Sequence, residues 1–95
     1  MMTFLDYPTF DYDPNALEEL EAASLAAIEA GAGQVVFNLD RLERLDTAGV
    51  RGLIAILRRT REKGGELALR ASRPEILRSL EVTALDRVFT MVKAA

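Results

Sequence analysis

The chain has 95 residues and a formal net charge of −3, with 49% hydrophobic and 28% charged residues. That describes one ordinary globular domain with enough apolar side chain for a core, and it argues against disorder and against general nucleic-acid binding. Having neither Cys nor His, the sequence excludes disulfides, structural zinc, thiol chemistry and a histidine base.

The first residues, Met1 to Asp6, show no basic stretch followed by an apolar one, so no signal peptide is expected. No apolar run approaches the ~20 residues that span a bilayer. A cytoplasmic protein that meets a membrane only through a partner is the expectation. Phe4, Leu5, Tyr7 and Phe10 read as one extended segment, and Pro8 marks it as an edge strand or as its end. Asp13-Pro14 reads as a helix start, with Asp as N-cap and Pro at the first helical position.

A helix is predicted from Pro14 to about Ala30, with Leu17, Leu20, Ser24, Ala27 and Ile28 on its inner face. Glu18, Glu21 and Glu29 look outward, and Gly31 supplies the stop. Val35 to Leu39 reads as a buried strand, and Asp40 to Leu45 as a surface connection. The next helix is predicted from Ala48 to about Lys63, with Val50, Leu53, Ile54 and Leu57 as its core stripe. Gly64-Gly65 breaks it, and Glu66 to Leu69 follows as a strand. Ser72 and Glu75 have the spacing of a capping box, with Ser72 as N-cap of a helix presenting Ile76, Leu77 and Leu80. Val82, Leu85, Val88, Phe89 and Val92 supply a turn and a final short strand or helix.

Strand, helix, strand and helix in this order predict an α/β domain of parallel strands joined by right-handed crossovers. In such folds functional residues lie beyond the carboxyl ends of the strands, where helices begin. Asp46-Thr47-Ala48-Gly49 is at such a point. No catalytic constellation accompanies it. The carboxylates fall mostly on helix exteriors, the serines have no histidine to activate them, and no GxxxxGK[ST] loop occurs. The basic cluster Arg58, Arg59, Arg61 and Lys63 reads as charge complementary to a helix C-terminus rather than as a nucleic-acid patch.

Thr47 therefore has two readings. It can cap the helix, a role worth ~1 kcal/mol. It can also accept a phosphate, which free helix N–H groups and the positive dipole end would partly stabilise beside Asp46.

The stretch Val35 to Phe89 resembles a STAS domain, the module of bacterial anti-sigma factor antagonists and of sulfate-transporter tails. The resemblance rests on the strand Val35 to Leu39, the Asp46-Thr47-Ala48-Gly49 turn, the helix Val50 to Arg61, Glu62-Lys63-Gly64-Gly65-Glu66-Leu67, and the stretch Ile76 to Phe89. It implies one STAS-like domain with a small mixed or mostly parallel sheet and helices mainly on one face. It implies a regulatory protein, not an enzyme, with no cofactor. The residue at the Thr47 position is usually a Ser, phosphorylated with ATP by an anti-sigma factor that is itself a serine/threonine kinase, and reset by a phosphatase.

On that resemblance Thr47 is the phospho-acceptor, and Asp46, Ala48, Gly49, Arg51, Asn38 and Asp40 belong to the partner surface. Three departures stand out. Thr replaces Ser, as in stressosome-type STAS proteins and the STAS subunit of lipid-transporting ABC systems. That leaves an alternative: a subunit of such an assembly that is never phosphorylated. Asn38 stands where the family often has Asp, with Asp40 as a partial replacement. Only about a dozen residues precede Pro14, where the family usually opens with a two-strand hairpin. One strand fewer would leave an open sheet edge that a second copy could cover.

Overall fold

The computed structural model describes residues 7–92; Phe4 and Leu5 of the expected first segment lie outside them. Strand β1, Thr9–Asp11, begins directly after Pro8. The Pro8 carbonyl accepts the Val36 N–H at 2.8 Å. Among the described residues β1 is an edge strand, the place in a sheet where a proline without an N–H is tolerated.

Asp13 is an N-cap as expected, its Oδ1 accepting the Asn15 N–H at 2.9 Å. The turn it caps is a 3₁₀ turn, Pro14–Ala16, and helix α1 proper is Leu17–Glu29. Leu20, Ser24 and Ile28 are its buried residues. Past its end, Gly31 adopts φ +112°, a left-handed stop that glycine takes without a Cβ penalty.

Three more strands follow: β2, Gln34–Asn38, β3, Glu66–Arg70, and β4, Thr90–Val92. Every described pairing is parallel, and the sheet order is β1-β2-β3-β4. The crossovers run through α1, through α2, Thr47–Glu62, and through α3, Pro74–Val82, with the short α4, Leu85–Val88. Each right-handed crossover steps one strand in the same direction, so all the helices lie on one face.

The register shows which face. Phe10, Phe37, Leu69 and Met91 form one row across the sheet and point into the core. Val35, Leu39 and Leu67 join them against Leu20, Ile28, Leu53, Ile56, Leu57, Ile76 and Leu80. The neighbouring row, Asp11, Asn38, Arg70 and Val92, points the other way.

The α2 stripe differs from expectation. Its buried residues are Gly49, Gly52, Leu53, Ile56, Leu57 and Thr60, while Val50 and Ile54 are half-buried and pack on the margin. Two glycines and Thr60 thus face inward beside Leu53 and Leu57, and residue hydrophobicity alone gives them no place there. Gly65 also allows a close approach: a Cβ on it would sit 2.4 Å from Ile28 Cδ1.

The basic end of α2 is held by carboxylates. Arg59 pairs with Glu21, Lys63 with Glu29 and Arg61 with Glu66, each at 3.3 Å. These exposed pairs orient side chains and contribute little stability. No helix among the described residues is long and apolar enough to cross a membrane.

Candidate functional site

The β2–α2 connection is stapled down before it reaches the Thr47 turn. The Leu39 N–H donates to the Arg70 carbonyl at 2.9 Å. The Asp40 carboxylate accepts the Ser72 N–H and the Ser72 hydroxyl, both at 2.8 Å. These bonds, the Ser72 N–H first, hold the Asp40 carboxyl below the ordinary carboxylate range. The Arg73 guanidinium donates to the carbonyls of Leu42 and Glu43.

Leu42 is buried and Leu45 packs on the core, so the expected surface connection is anchored by its two apolar residues. The capping box at Ser72 is not formed. Arg73 is the N-cap residue of α3 and makes no side-chain cap; Ser72 lies one residue before it, and its hydroxyl donates to Asp40.

At the start of α2 the cap is Asp46, not Thr47. Asp46 has extended backbone, φ −96° and ψ −178°. Its Oδ1 accepts the Gly49 N–H and its carbonyl the Val50 N–H, each at 2.9 Å. Thr47 is the first helical residue. It is exposed, and its hydroxyl has no hydrogen-bond partner among the described residues.

Ala48 is exposed, but Gly49 is buried. What the missing side chain of Gly49 admits is the chain's own Leu45, whose Cδ1 would lie 3.2 Å from a Cβ there. The Gly49 carbonyl accepts the Tyr12 hydroxyl at 2.6 Å. Tyr12 is 2% exposed and stacks on Phe37. Burial first, then the nearby carboxylates of Asp46 and Asp13, push its phenol up to about 12.

Thr47 opens onto a hollow of ≈ 420 Å³ lined by Arg44, Leu45, Asp46, Thr47, Val50, Arg51 and Thr83. Arg44 and Arg51 are exposed and have no ion pair among the described residues. Asn38 and Asp40 do not line it. Asn38 donates to Asp11 at 3.0 Å within its sheet row, and Asp40 is the staple described above. Of the residues read from sequence, Asp46, Thr47 and Arg51 therefore share one surface.

The family model described as "Mlab, STAS domain" matches residues 11–93. The chain belongs to the STAS family. Among curated proteins it is similar to BtrV of Bordetella bronchiseptica, a candidate anti-sigma factor antagonist, at 29% identity over 81% of this chain. The STAS domain here spans 66% of that relative's length.

Among solved structures it is similar to an anti-sigma factor antagonist of Mycobacterium paratuberculosis, with TM-score 0.59 and 25% identity over 85% of this chain and 68% of that one. It also shares the fold of the anti-sigma factor antagonist SpoIIAA in its unphosphorylated form. That TM-score is 0.64, at 22% identity over 100% of this chain and 87% of that one. SpoIIAA, a Bacillus cell fate determinant, is known in a phosphorylated form as well, with TM-score 0.60 and 20% identity over 100% of this chain and 90% of that one.

Tyr12, Arg44, Gly52, Arg73 and Thr83 were not singled out from sequence. Only Gly52 left a trace there. A glycine inside a helix destabilises it by about 1 kcal/mol relative to alanine, so its presence signals a close approach.

Proposed function

We propose that this STAS domain is an anti-sigma factor antagonist. Its bare Thr47 turn binds an anti-sigma factor that is also a serine/threonine kinase, and so frees a sigma factor. The observation that carries this is the Thr47 hydroxyl: it is exposed and has no partner among the described residues, while Asp46 takes the cap. A phosphoryl group moves from ATP to Thr47 Oγ1 with departure of ADP, and the kinase supplies the base for the hydroxyl proton. The domain itself contributes no catalytic group, and a phosphatase reverses the modification.

Charge gives the switch its sign. Arg44, Arg51 and Asp46 leave the bare hollow at about +1, and a phosphate adds roughly −1.5 to −2. The docking surface thus changes from positive to negative and gains bulk where the partner's backbone would lie against Ala48. Relatives described as anti-sigma factor antagonists support this reading, as does the existence of a phosphorylated SpoIIAA.

Incubation with a candidate kinase and ATP, followed by intact-mass measurement, tests it. One phosphate on the wild-type chain and none on Thr47→Ala is expected. A phosphate that persists on Thr47→Ala would remove Thr47 from the mechanism.

A second reading is favoured by the threonine itself and by the family description "Mlab, STAS domain": a constitutive subunit of a larger assembly in which Thr47 is only a contact. Stable co-purification with an ATPase-permease, with no phosphate gained, supports that one.

A further inference from the structure

We propose that Tyr12 is the positioning residue of the switch, its phenol fixing the orientation in which the first turn of α2 presents Thr47 and Asp46. The functional meaning of that orientation rests on the reading above. The geometry does not. Gly49, two residues past Thr47, is held at both ends of its main chain: its N–H donates to Asp46 Oδ1 at 2.9 Å, and its carbonyl accepts the Tyr12 hydroxyl at 2.6 Å.

Tyr12 is in turn rigid. It stacks on Phe37 with ring centroids 5.6 Å apart and planes 18° apart, and Phe37 is fully buried in β2. Its N–H donates to the Asn38 carbonyl at 2.9 Å, which ties residue 12 to the end of the same strand. The space it occupies is reserved by a second glycine. A Cβ on Gly52 would lie 2.5 Å from the Tyr12 hydroxyl and 2.7 Å from Leu17 Cδ2, so only glycine lets helix and phenol approach this closely.

On the other side of the turn, a Cβ on Gly49 would lie 3.9 Å from Pro14 Cγ. The segment Tyr12 to Pro14 is thus a bracket under the start of α2. It transmits the position of the sheet edge to the exposed hydroxyl. A buried phenol whose single donor is aimed at one carbonyl of the switch turn does more than fill the core, which a phenylalanine would do equally well.

Tyr12→Phe keeps the ring and its stacking and removes only the hydroxyl. Residue-resolved amide exchange by NMR on the full chain reads the result. Exchange at Gly49 and Val50 is expected to accelerate about five-fold more than at Leu67 and Leu69 in the central strand. One common factor at all four amides would mean that the hydroxyl serves global stability only, and would overturn the proposal, as would no change anywhere.

Phosphorylation kinetics with the kinase of the preceding experiment add a readout that loss of stability does not move. KM for the chain as substrate rises several-fold while kcat holds, because the hydroxyl is still present but less well presented. An unchanged KM counts against the positioning role. Should the wild-type chain take no phosphate at all, the switch reading falls, and the exchange ratio still decides the role of Tyr12.

Discussion

Two helix starts in this molecule look alike in sequence and behave differently in the fold. Both α2 and α3 follow a parallel strand, and each has a hydroxyl residue near its first turn, Thr47 in one and Ser72 in the other. At α3 the hydroxyl is consumed: it donates to Asp40, a carboxylate 32 residues away, at 2.8 Å. At α2 the adjacent carboxylate, Asp46, takes the cap alone and leaves the hydroxyl free. Availability is therefore set by which acceptor reaches each position, and the residue type at the helix start does not decide it. One start is a brace for the β2–α2 connection, and the other is an open surface.

The largest expected contrast between them is in modification. On the proposed function, Thr47→Ala is expected to abolish phosphate uptake from a candidate kinase and Ser72→Ala to leave it complete, as read by intact mass. Equal loss in both variants would show that the two starts are not functionally distinct. Next comes affinity. Thr47→Glu is expected to weaken partner binding at least about ten-fold, ~1.4 kcal/mol, by calorimetry, with the melting midpoint nearly unchanged. Ser72→Glu should do the reverse, because a carboxylate set against Asp40 breaks the brace and leaves the docking surface alone.

The two regions should also fail at opposite ends of the pH range. The phenol beneath α2 is raised from an ordinary value near 10 to about 12. Its neutral form is favoured by folding, so the stabilisation is fully present below about pH 10 and is lost as pH rises towards 12. The Asp40 carboxyl is lowered. Its contribution is present above the ordinary carboxylate pKa and disappears as pH falls through the lowered one. Urea melts across both limbs, with Tyr12→Phe and Asp40→Asn as controls, separate them. Each variant should flatten its own limb only.

At neutral pH, Asp40→Ala removes the acceptor of two close charge-assisted bonds and is expected to destabilise by about 2 kcal/mol. Denaturant unfolding checks it. The loss should appear without any fall in phosphorylation of Thr47, since Asp40 does not line that hollow.

What could be read from the sequence was local. The order of strands and helices, the Asp13-Pro14 start, the Gly31 stop and the position of the Asp46 to Gly49 turn all follow from neighbours a few residues apart. Most of what the sequence does not show is decided by a remote partner. Ser72 looked like a cap because Asp40 could not be seen beside it. On α2, Leu53 and Leu57 are buried as their spacing predicts, but Gly52 is buried beside them because it faces Tyr12 and Leu17, whose proximity only the packed sheet creates. Tyr12 itself meets Gly49 across 37 residues, and no spacing rule reports that. Thr47 and Asp46 were legible as a pair, but the assignment of the cap between them was not, because either side chain can cap and only the backbone angles of Asp46 decide it.

That assignment carries the smallest prediction and the one that isolates the switch. With Asp46 as the cap, Asp46→Ala is expected to destabilise by about 1 kcal/mol, whereas Thr47→Ala stays within roughly 0.5 kcal/mol of wild type. Asp46→Asn refines the point. Asparagine caps about as well as aspartate, so stability is retained while the negative charge beside the acceptor disappears. The bare hollow becomes more positive by one charge, and the phosphorylated one less negative. Partner binding by the Asn variant should then respond less sharply to Thr47→Glu than it does in the wild type. A double-mutant cycle on affinity measures that coupling directly. A coupling of zero would mean that the side chains at 46 and 47 act on the partner independently.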